Sequence, residues 1–312
     1  MAAGGLGAGR AFQRRWQPFG PASQGVIESD ALAYAVAMAD PALPVKDGPF
    51  WNLEQDTPIY RIHPQRYLKE LLSGKLILPA THRWTDPYEN LIACCGYEFI
   101  GDDGKIKQVF LDGNRFPTFG QCWTTLPESD AMWRIYSHVD AHQGIDSFFS
   151  PGEGVRLRTT ARKLVNCLAG SMGAPNKHKC YMVRVAYFEE EQIRQHIANV
   201  VGTHRDKAFY DIAGHADGLA MKRTPFKHES EVRLLYIDAD RTFERKEQVE
   251  FPIDVNNVIE EITLDPRIVK GGGESRRREW LKQNGFKNTT NTSRLYLRVL
   301  MLVPLYKPED LK

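Results

Sequence analysis

The run Lys227-His228-Glu229-Ser230-Glu231-Val232-Arg233-Leu234-Leu235-Tyr236 constrains the fold of this chain more than any other stretch. It reads as a β-strand with a charged beginning and an apolar end. Side chains alternate along a strand, so Glu229, Glu231 and Arg233 are expected on one face and Ser230, Val232 and Leu234 on the other. Two carboxylates on one face repel each other. A fold tolerates that in water, as at an exposed sheet edge where Arg233 neutralises Glu231, or at a site that uses both acids.

With 312 residues, 42% of them hydrophobic and 26% charged, the chain can bury a large core. A net charge of +2 does not suit a general nucleic-acid coat protein, though it leaves room for a local basic face. The five cysteines, Cys94, Cys95, Cys122, Cys167 and Cys180, form no CxxC, which disfavours a disulfide framework or a structural zinc. No metal site is expected. Reduced thiols fit a cytoplasmic protein. No run of 18 apolar residues is present to span a membrane. Leu295 to Leu305 reads as a buried strand instead. The N-terminus lacks the apolar segment of a secretory signal. Its arginines, with no acid before Glu28, fit a transit peptide, while its glycines favour a flexible tail.

Residues 1–50 are expected to form a flexible or helical extension, with a short helix within Val26 to Pro41, and residues 51–312 a single catalytic-type domain. Strands are expected at Pro58–Ile62, Lys75–Pro79, Gly120–Thr125, Gly144–Phe149, Lys179–Tyr187, Glu229–Tyr236, Val258–Leu264 and Ser293–Leu302. Helices are expected at Pro64–Ser73, at Ser129–Val139 with Ser129 as N-cap, at Glu189–Val200, and at Glu274–Asn284 closed by Gly285. Ala161–Leu168 fits either state. The order is not a regular βαβ alternation, and neither GxGxxG nor a P-loop is present, so a mixed α+β domain is left.

Four polar spots can carry chemistry. Arg61 follows Tyr60 between Ile59 and Ile62; it either pairs with a surface carboxylate or faces a cleft and binds an anion. Arg83-Trp84-Thr85-Asp86-Pro87-Tyr88-Glu89 reads foremost as a structural turn. Cys122-Trp123-Thr124-Thr125, followed by Trp133 and Tyr136 on a helix, gives either an aromatic-walled pocket or an aromatic core stripe. The fourth is the Glu229/Glu231 strand.

This ordered set resembles a widespread bacterial family catalogued only as a domain of unknown function: Tyr60-Arg61, Trp84 to Glu89, Cys122 to Thr125, Met132 to Tyr136, Lys222, Phe226 to Arg233, then Ile262 to Pro266. The resemblance covers roughly residues 57–298. The order Arg, hydroxyl strand, Glu-x-Glu is also similar to the Arg–Ser–Glu signature of mono-ADP-ribosyltransferases, although Trp123-Thr124-Thr125 stands where that superfamily has Ser-Thr-Ser.

That second resemblance implies a split, antiparallel-rich sheet with surrounding helices and NAD as substrate. It implies that Arg61 and Tyr60 hold the dinucleotide and that Thr124 or Thr125 shapes the nicotinamide pocket. Trp133 or Tyr136 would stack on a ring, Glu231 would bind the nicotinamide ribose, and Glu229 would help the acceptor attack. The acceptor would be a protein or nucleic acid, the context a toxin or antiphage effector with an antitoxin or regulator as partner. Three segments should then meet round one dinucleotide-sized hollow.

Two other functions fit the residues. Arg83, Arg156, Arg158, Arg162, Lys163, Lys177, Lys179 and Arg276–Arg278 could serve a non-enzymatic nucleic-acid-binding or partner-binding module, although the arginine triplet reads most simply as a solvated helix face. The two glutamates could also serve a glycosidase or NAD glycohydrolase with water as acceptor.

Overall fold

The computed structural model describes residues 46–84, 86, 89, 96–100, 104–110, 116–139, 152–172, 179–204, 212–271 and 273–297. The expected helix in 26–41, the expected strand at Gly144–Phe149, and Thr85, Cys94, Cys95 and Lys177 lie outside them.

In chain order the strands are β1 (Lys46–Asp47), β2 (Phe50–Trp51), β3 (Pro58–Pro64), β4 (Lys75–Pro79), β5 (Gly96–Ile100), β6 (Ile106–Phe110), β7 (Thr118–Thr124), β8 (Gly154–Thr160), β9 (Cys180–Arg184), β10 (Ala186–Phe188), β11 (Met221–Arg223), β12 (Glu231–Ile237), β13 (Gln248–Pro252), β14 (Glu261–Leu264) and β15 (Thr289–Thr292). Nine form one sheet in the order β1-β2-β9-β12-β7-β3-β8-β14-β15. Its pairings are antiparallel except β2–β9 and β14–β15. With helices packed around it, the chain is α+β, as the irregular order of elements implies.

The charged strand is not an edge. β12 is flanked by β9 and β7, and all seven of its residues are buried. Its alternation serves two cores. Val232, Leu234 and Tyr236 join the main core, while Leu235 and Ile237 join a smaller one with Trp51, Val183, Ala216 and Leu219. Each such aliphatic side chain contributes about 1.5–3 kcal/mol by leaving water. Glu231 and Arg233 occupy the start of that second face.

Helices Gln65–Leu72 and Ala161–Met172 cover the main core through Leu68 and Leu71, and through Leu164, Val165 and Leu168. The second segment, open between two states in the sequence, is helical because its apolar residues recur at helical spacing over a sheet face. Helix Asp130–Tyr136 begins as expected: the Ser129 hydroxyl accepts from the Met132 N–H.

Several strands differ from expectation. Lys179–Tyr187 divides into β9 and β10, which belong to different sheets. Val258 ends a helical turn, Val255–Val258, capped by Asp254, so β14 starts only at Glu261. The last strand among the described residues is Thr289–Thr292. The Ser293 N–H still donates to the Leu264 carbonyl of β14, but the chain then turns at Leu295–Tyr296, and Leu295 and Leu297 are exposed; residues 298–302 of the expected strand lie outside the described residues.

The sheet is nearly divided. β12 pairs with β7 along its whole length, and β3 pairs likewise with β8. Between these halves β3 and β7 meet at a single residue pair, Tyr60↔Thr124. Beyond it the two strands diverge.

Candidate functional site

The site residues assemble at that division. Thr124 is the partner of Tyr60 on one side and of Glu231 on the other, so three distant segments form one row across the sheet. Beside it, Arg61 reaches across the split, and its Nη1 donates to the Cys122 carbonyl at 2.5 Å. The Arg61 Nε is buried without a hydrogen-bond partner, and no carboxylate among the described residues forms an ion pair with Arg61. Burial pushes this guanidinium below its ordinary value. A buried cation with donors to spare is able to receive an anion.

Glu229 is not on the strand. It ends a 3-10 turn, Thr224–Glu229, and Ser230 then takes a left-handed conformation (φ 43°) before β12 begins. Pro225 near the start of the turn fixes its helical φ, which the alternation argument ignored. The turn is tied to β7: the Thr124 hydroxyl donates to the Glu229 carbonyl at 2.6 Å, and the Thr125 N–H donates to the Ser230 carbonyl at 3.1 Å. The Thr124 hydroxyl is thus engaged with backbone, while Thr125, just past the strand end, is half-buried.

The two acids still converge, by a route the strand pattern did not contain. Lys222 on β11 places its Nζ 2.7 Å from Glu229 Oε2, 3.2 Å from Glu231 Oε2 and 3.5 Å from Glu89 Oε1. Arg233, fully buried, grips Glu231 with two bonds, Nε to Oε1 at 2.9 Å and Nη2 to Oε2 at 3.1 Å. It also donates to Glu89 at 2.8 Å and to the Leu219 carbonyl at 2.7 Å, and its plane lies over Trp84. Three carboxylates therefore share two cations.

Burial alone would raise the Glu231 carboxyl. Arg233, by charge and hydrogen bond, together with Lys222 and the Cys122 thiol, outweighs it and holds Glu231 at about 2. Glu89 goes the other way, raised by burial despite Arg233 and Lys222. Tyr187 on β10 accepts from the Glu231 N–H at 2.8 Å, and burial pushes its hydroxyl up to about 12. Glu89, Lys222 and Tyr187 were not singled out as site residues in the sequence. Tyr187 and Lys222 are partners in the small parallel β10–β11 pair; Lys222 and Glu89 had entered only as members of the ordered set, without a role, and for Tyr187 that register, invisible in a single chain of letters, was the only signal.

Tyr136 ends its helix partly exposed, within electrostatic reach of Glu229 and Glu231. Trp133 is wholly buried, with its indole N–H donating to Glu128 at 2.5 Å. Tyr60 is half-buried under the Arg156 guanidinium.

The space at the split is smaller than expected. Tyr60, Arg61, Thr124, Met132, Trp133 and Arg156 are among the residues round a cavity of about 10 Å³, room for one water. Arg156 closes it by binding the Pro127 carbonyl and Glu128, which holds the segment after β7 down against β8. Glu128 and Arg156 also border a larger polar groove of about 600 Å³ that includes Glu261, Thr263, Asn291 and Arg278. Among the described residues no cluster could hold a metal ion, and no helix is long and apolar enough to cross a membrane.

The positive charges offered as a binding face are largely paired. Arg277 is buried on Glu153 through two bonds of 2.5 and 2.6 Å, and Arg278 binds Glu274 at 2.6 Å. The triplet is therefore not a solvated face, because Arg277 points into the interior. Arg156 pairs with Glu128 and Glu261, Arg158 and Lys163 with Glu260, Arg162 with Asp56, Lys179 with Asp240 and Arg83 with Glu247.

No protein-family model matches the chain, so the resemblance to an uncharacterised bacterial domain family has no model behind it. No curated protein matches it either. Two solved structures do. One is Thermus sp. 2.9 DarT in complex with NAD+: 16% identity, TM-score 0.31, covering 77% of this chain and 97% of that one. The other is Thermus sp. 2.9 DarT in complex with carba-NAD+: 18% identity, TM-score 0.32, covering 78% and 98%.

Proposed function

We propose that this protein is an NAD-dependent ADP-ribosyltransferase acting on a macromolecular acceptor, protein or nucleic acid. The observation that carries the reading is the row Tyr60–Thr124–Glu231 at the division of the sheet, with the unpaired Arg61 beside it. A buried cation on β3 and a buried, ionised carboxylate on β12 stand on either side of β7. That is the polarity a dinucleotide needs, with pyrophosphate at one point and a ribose that turns cationic at another.

In this reading Arg61 holds the pyrophosphate. Glu231 faces the nicotinamide ribose. As the C1′–N bond breaks, its electron pair leaves with nicotinamide and C1′ becomes oxocarbenium-like. The network round Glu231 holds it ionised, and its negative charge favours that state over the neutral ribose bond, which is the differential stabilisation catalysis requires. The acceptor heteroatom bonds to C1′ and its proton passes to Glu229, the more exposed acid. The small cavity beside Arg61 widens for the dinucleotide when the Pro127–Glu128 segment tied down by Arg156 gives way, as mobile loops do. Arg158 and Glu261 continue the same row. From β12 to β14 this face spans four strand spacings, about 19 Å, and the polar groove lies at its far end for the remote half of the substrate.

The pairing of Arg83, Arg156, Arg158, Arg162, Lys163, Lys179, Arg277 and Arg278 with carboxylates counts against that set as a nucleic-acid-binding face. An NAD glycohydrolase differs only in using water as acceptor.

The test is nicotinamide release from NAD by the purified chain, alone and with protein, RNA and DNA acceptors. Release is expected, and Glu231→Gln should remove it while the variant stays folded. Equal inertness of wild type and variant with every acceptor would refute the reading.

A further inference from the structure

We infer that Lys222 is the positioning residue that makes Glu229 the base for the incoming acceptor. The inference rests on the transferase reading above. Glu229 leaves the strand and sits on a separate turn, so the sheet does not hold its carboxylate beside Glu231. Lys222 does, at 2.7 Å from Glu229 and 3.2 Å from Glu231. Its ammonium also lies over the Phe226 ring at 4.6 Å and near Glu89 at 3.5 Å, so it is fixed from four sides.

The two acids are held differently. Glu231 has both oxygens on Arg233 and stays in place without Lys222. Among the described residues the Glu229 carboxylate has Lys222 as its one salt-bridge partner, and it binds through Oε2. Its other oxygen is left to accept a proton. Without the ammonium, Glu229 has no cation of its own and faces Glu231 and Glu89, which then share Arg233, so it swings outward. Lys222 therefore serves the second half of the reaction. It keeps a carboxylate within reach of the acceptor's proton while the acceptor heteroatom bonds to C1′ and nicotinamide departs with the old bonding pair.

Azide separates this role from a structural one, because it attacks C1′ without a proton to surrender. Nicotinamide release and ADP-ribosyl azide formation would be followed for wild type, Lys222→Met, Lys222→Arg, Glu229→Gln and Glu231→Gln, with water and then with azide as nucleophile. With water, Lys222→Met should lose at least tenfold in kcat and Glu229→Gln about a hundredfold, both with KM for NAD little changed. Azide should restore both, and should not restore Glu231→Gln. Lys222→Arg, which keeps a cation in reach, should retain most of the rate.

Glu229→Gln keeps the shape of the site, so it decides the matter if Lys222→Met fails to fold. The inference is overturned if azide leaves both variants as slow as water does, or if Lys222→Met raises KM with kcat intact. A wild type that releases no nicotinamide with either nucleophile, nor with any protein, RNA or DNA acceptor, overturns the parent reading, and this one with it.

Discussion

Replacing Arg233 by methionine should be among the most damaging single changes in the molecule. The guanidinium is fully buried and makes bonds to Glu231, Glu89 and the Leu219 carbonyl. Methionine fills much of the volume but leaves three carboxylates to one ammonium. Breaking a buried pair by removing one partner costs about 3–5 kcal/mol. The stranded Leu219 carbonyl adds about 1 kcal/mol or more. A loss of about 4–6 kcal/mol is a large part of the ~5–15 kcal/mol that holds a domain folded, and corresponds to a fall in Tm of about 10–20 °C. Urea unfolding of wild type, Arg233→Met, Glu231→Gln and the double variant measures it. The two costs should fall short of additivity by about 2 kcal/mol, because each variant already destroys the same pair. A cost below about 1 kcal/mol for Arg233→Met, or strict additivity, would refute the claim that this network is dry and mutually dependent.

Three further outcomes follow from named geometry. Ser230→Gly should stabilise the fold by about 0.5–1 kcal/mol, since φ 43° strains a residue with a Cβ; an unchanged urea midpoint would count against strain there. Gly120→Ala should cost about 1–3 kcal/mol, because its Cβ would stand 2.9 Å from the Leu234 carbonyl and 3.2 Å from the Trp84 ring; a neutral effect in thermal unfolding would contradict the close approach of β7 and β12. The Glu231 carboxyl, drawn from 4.5 to about 2, lends stability that is complete above its ordinary value and lost as pH falls from about 4.5 towards 2; acid titration of Glu231→Gln should lack that limb.

The sequence pointed to candidate residues that the fold brings close together, but not to their arrangement. Period-two alternation placed Glu231 and Arg233 together, and they do share a face. The same rule put Glu229 with them and failed, because Pro225 and the left-handed Ser230 make a turn where the pattern reads as strand. Burial was misjudged for a different reason. An exposed edge and a desolvated network have the same letters, and only the positions of β9 and β7 on either side of β12 decide between them. Lys222 and Tyr187 arrive through a two-stranded parallel pair formed by segments over thirty residues apart, and Glu89 comes from a turn that reads as structural. Partners brought by tertiary register leave no local signal. Arg277 shows the converse: a charge triplet on a helix reads as solvated until a buried Glu153 is found opposite its middle member.

The charged start of β12 is hard to explain by stability alone. Its second face continues into Leu235 and Ile237, which pack in an apolar core with Trp51 and Val183. Extending that core over positions 231 and 233 would complete a pattern the strand already follows. Exchanging a whole buried ion network for apolar side chains of similar volume is often neutral or stabilising, by about 1–4 kcal/mol. The chain instead keeps Glu231, Arg233, Lys222 and Glu89 out of water, beside the place where the sheet divides and a third cation, Arg61, crosses the gap. A group of charges that a merely stable fold would do without, set where β3 and β7 keep a single residue pair, is what the proposed transferase reading asks for.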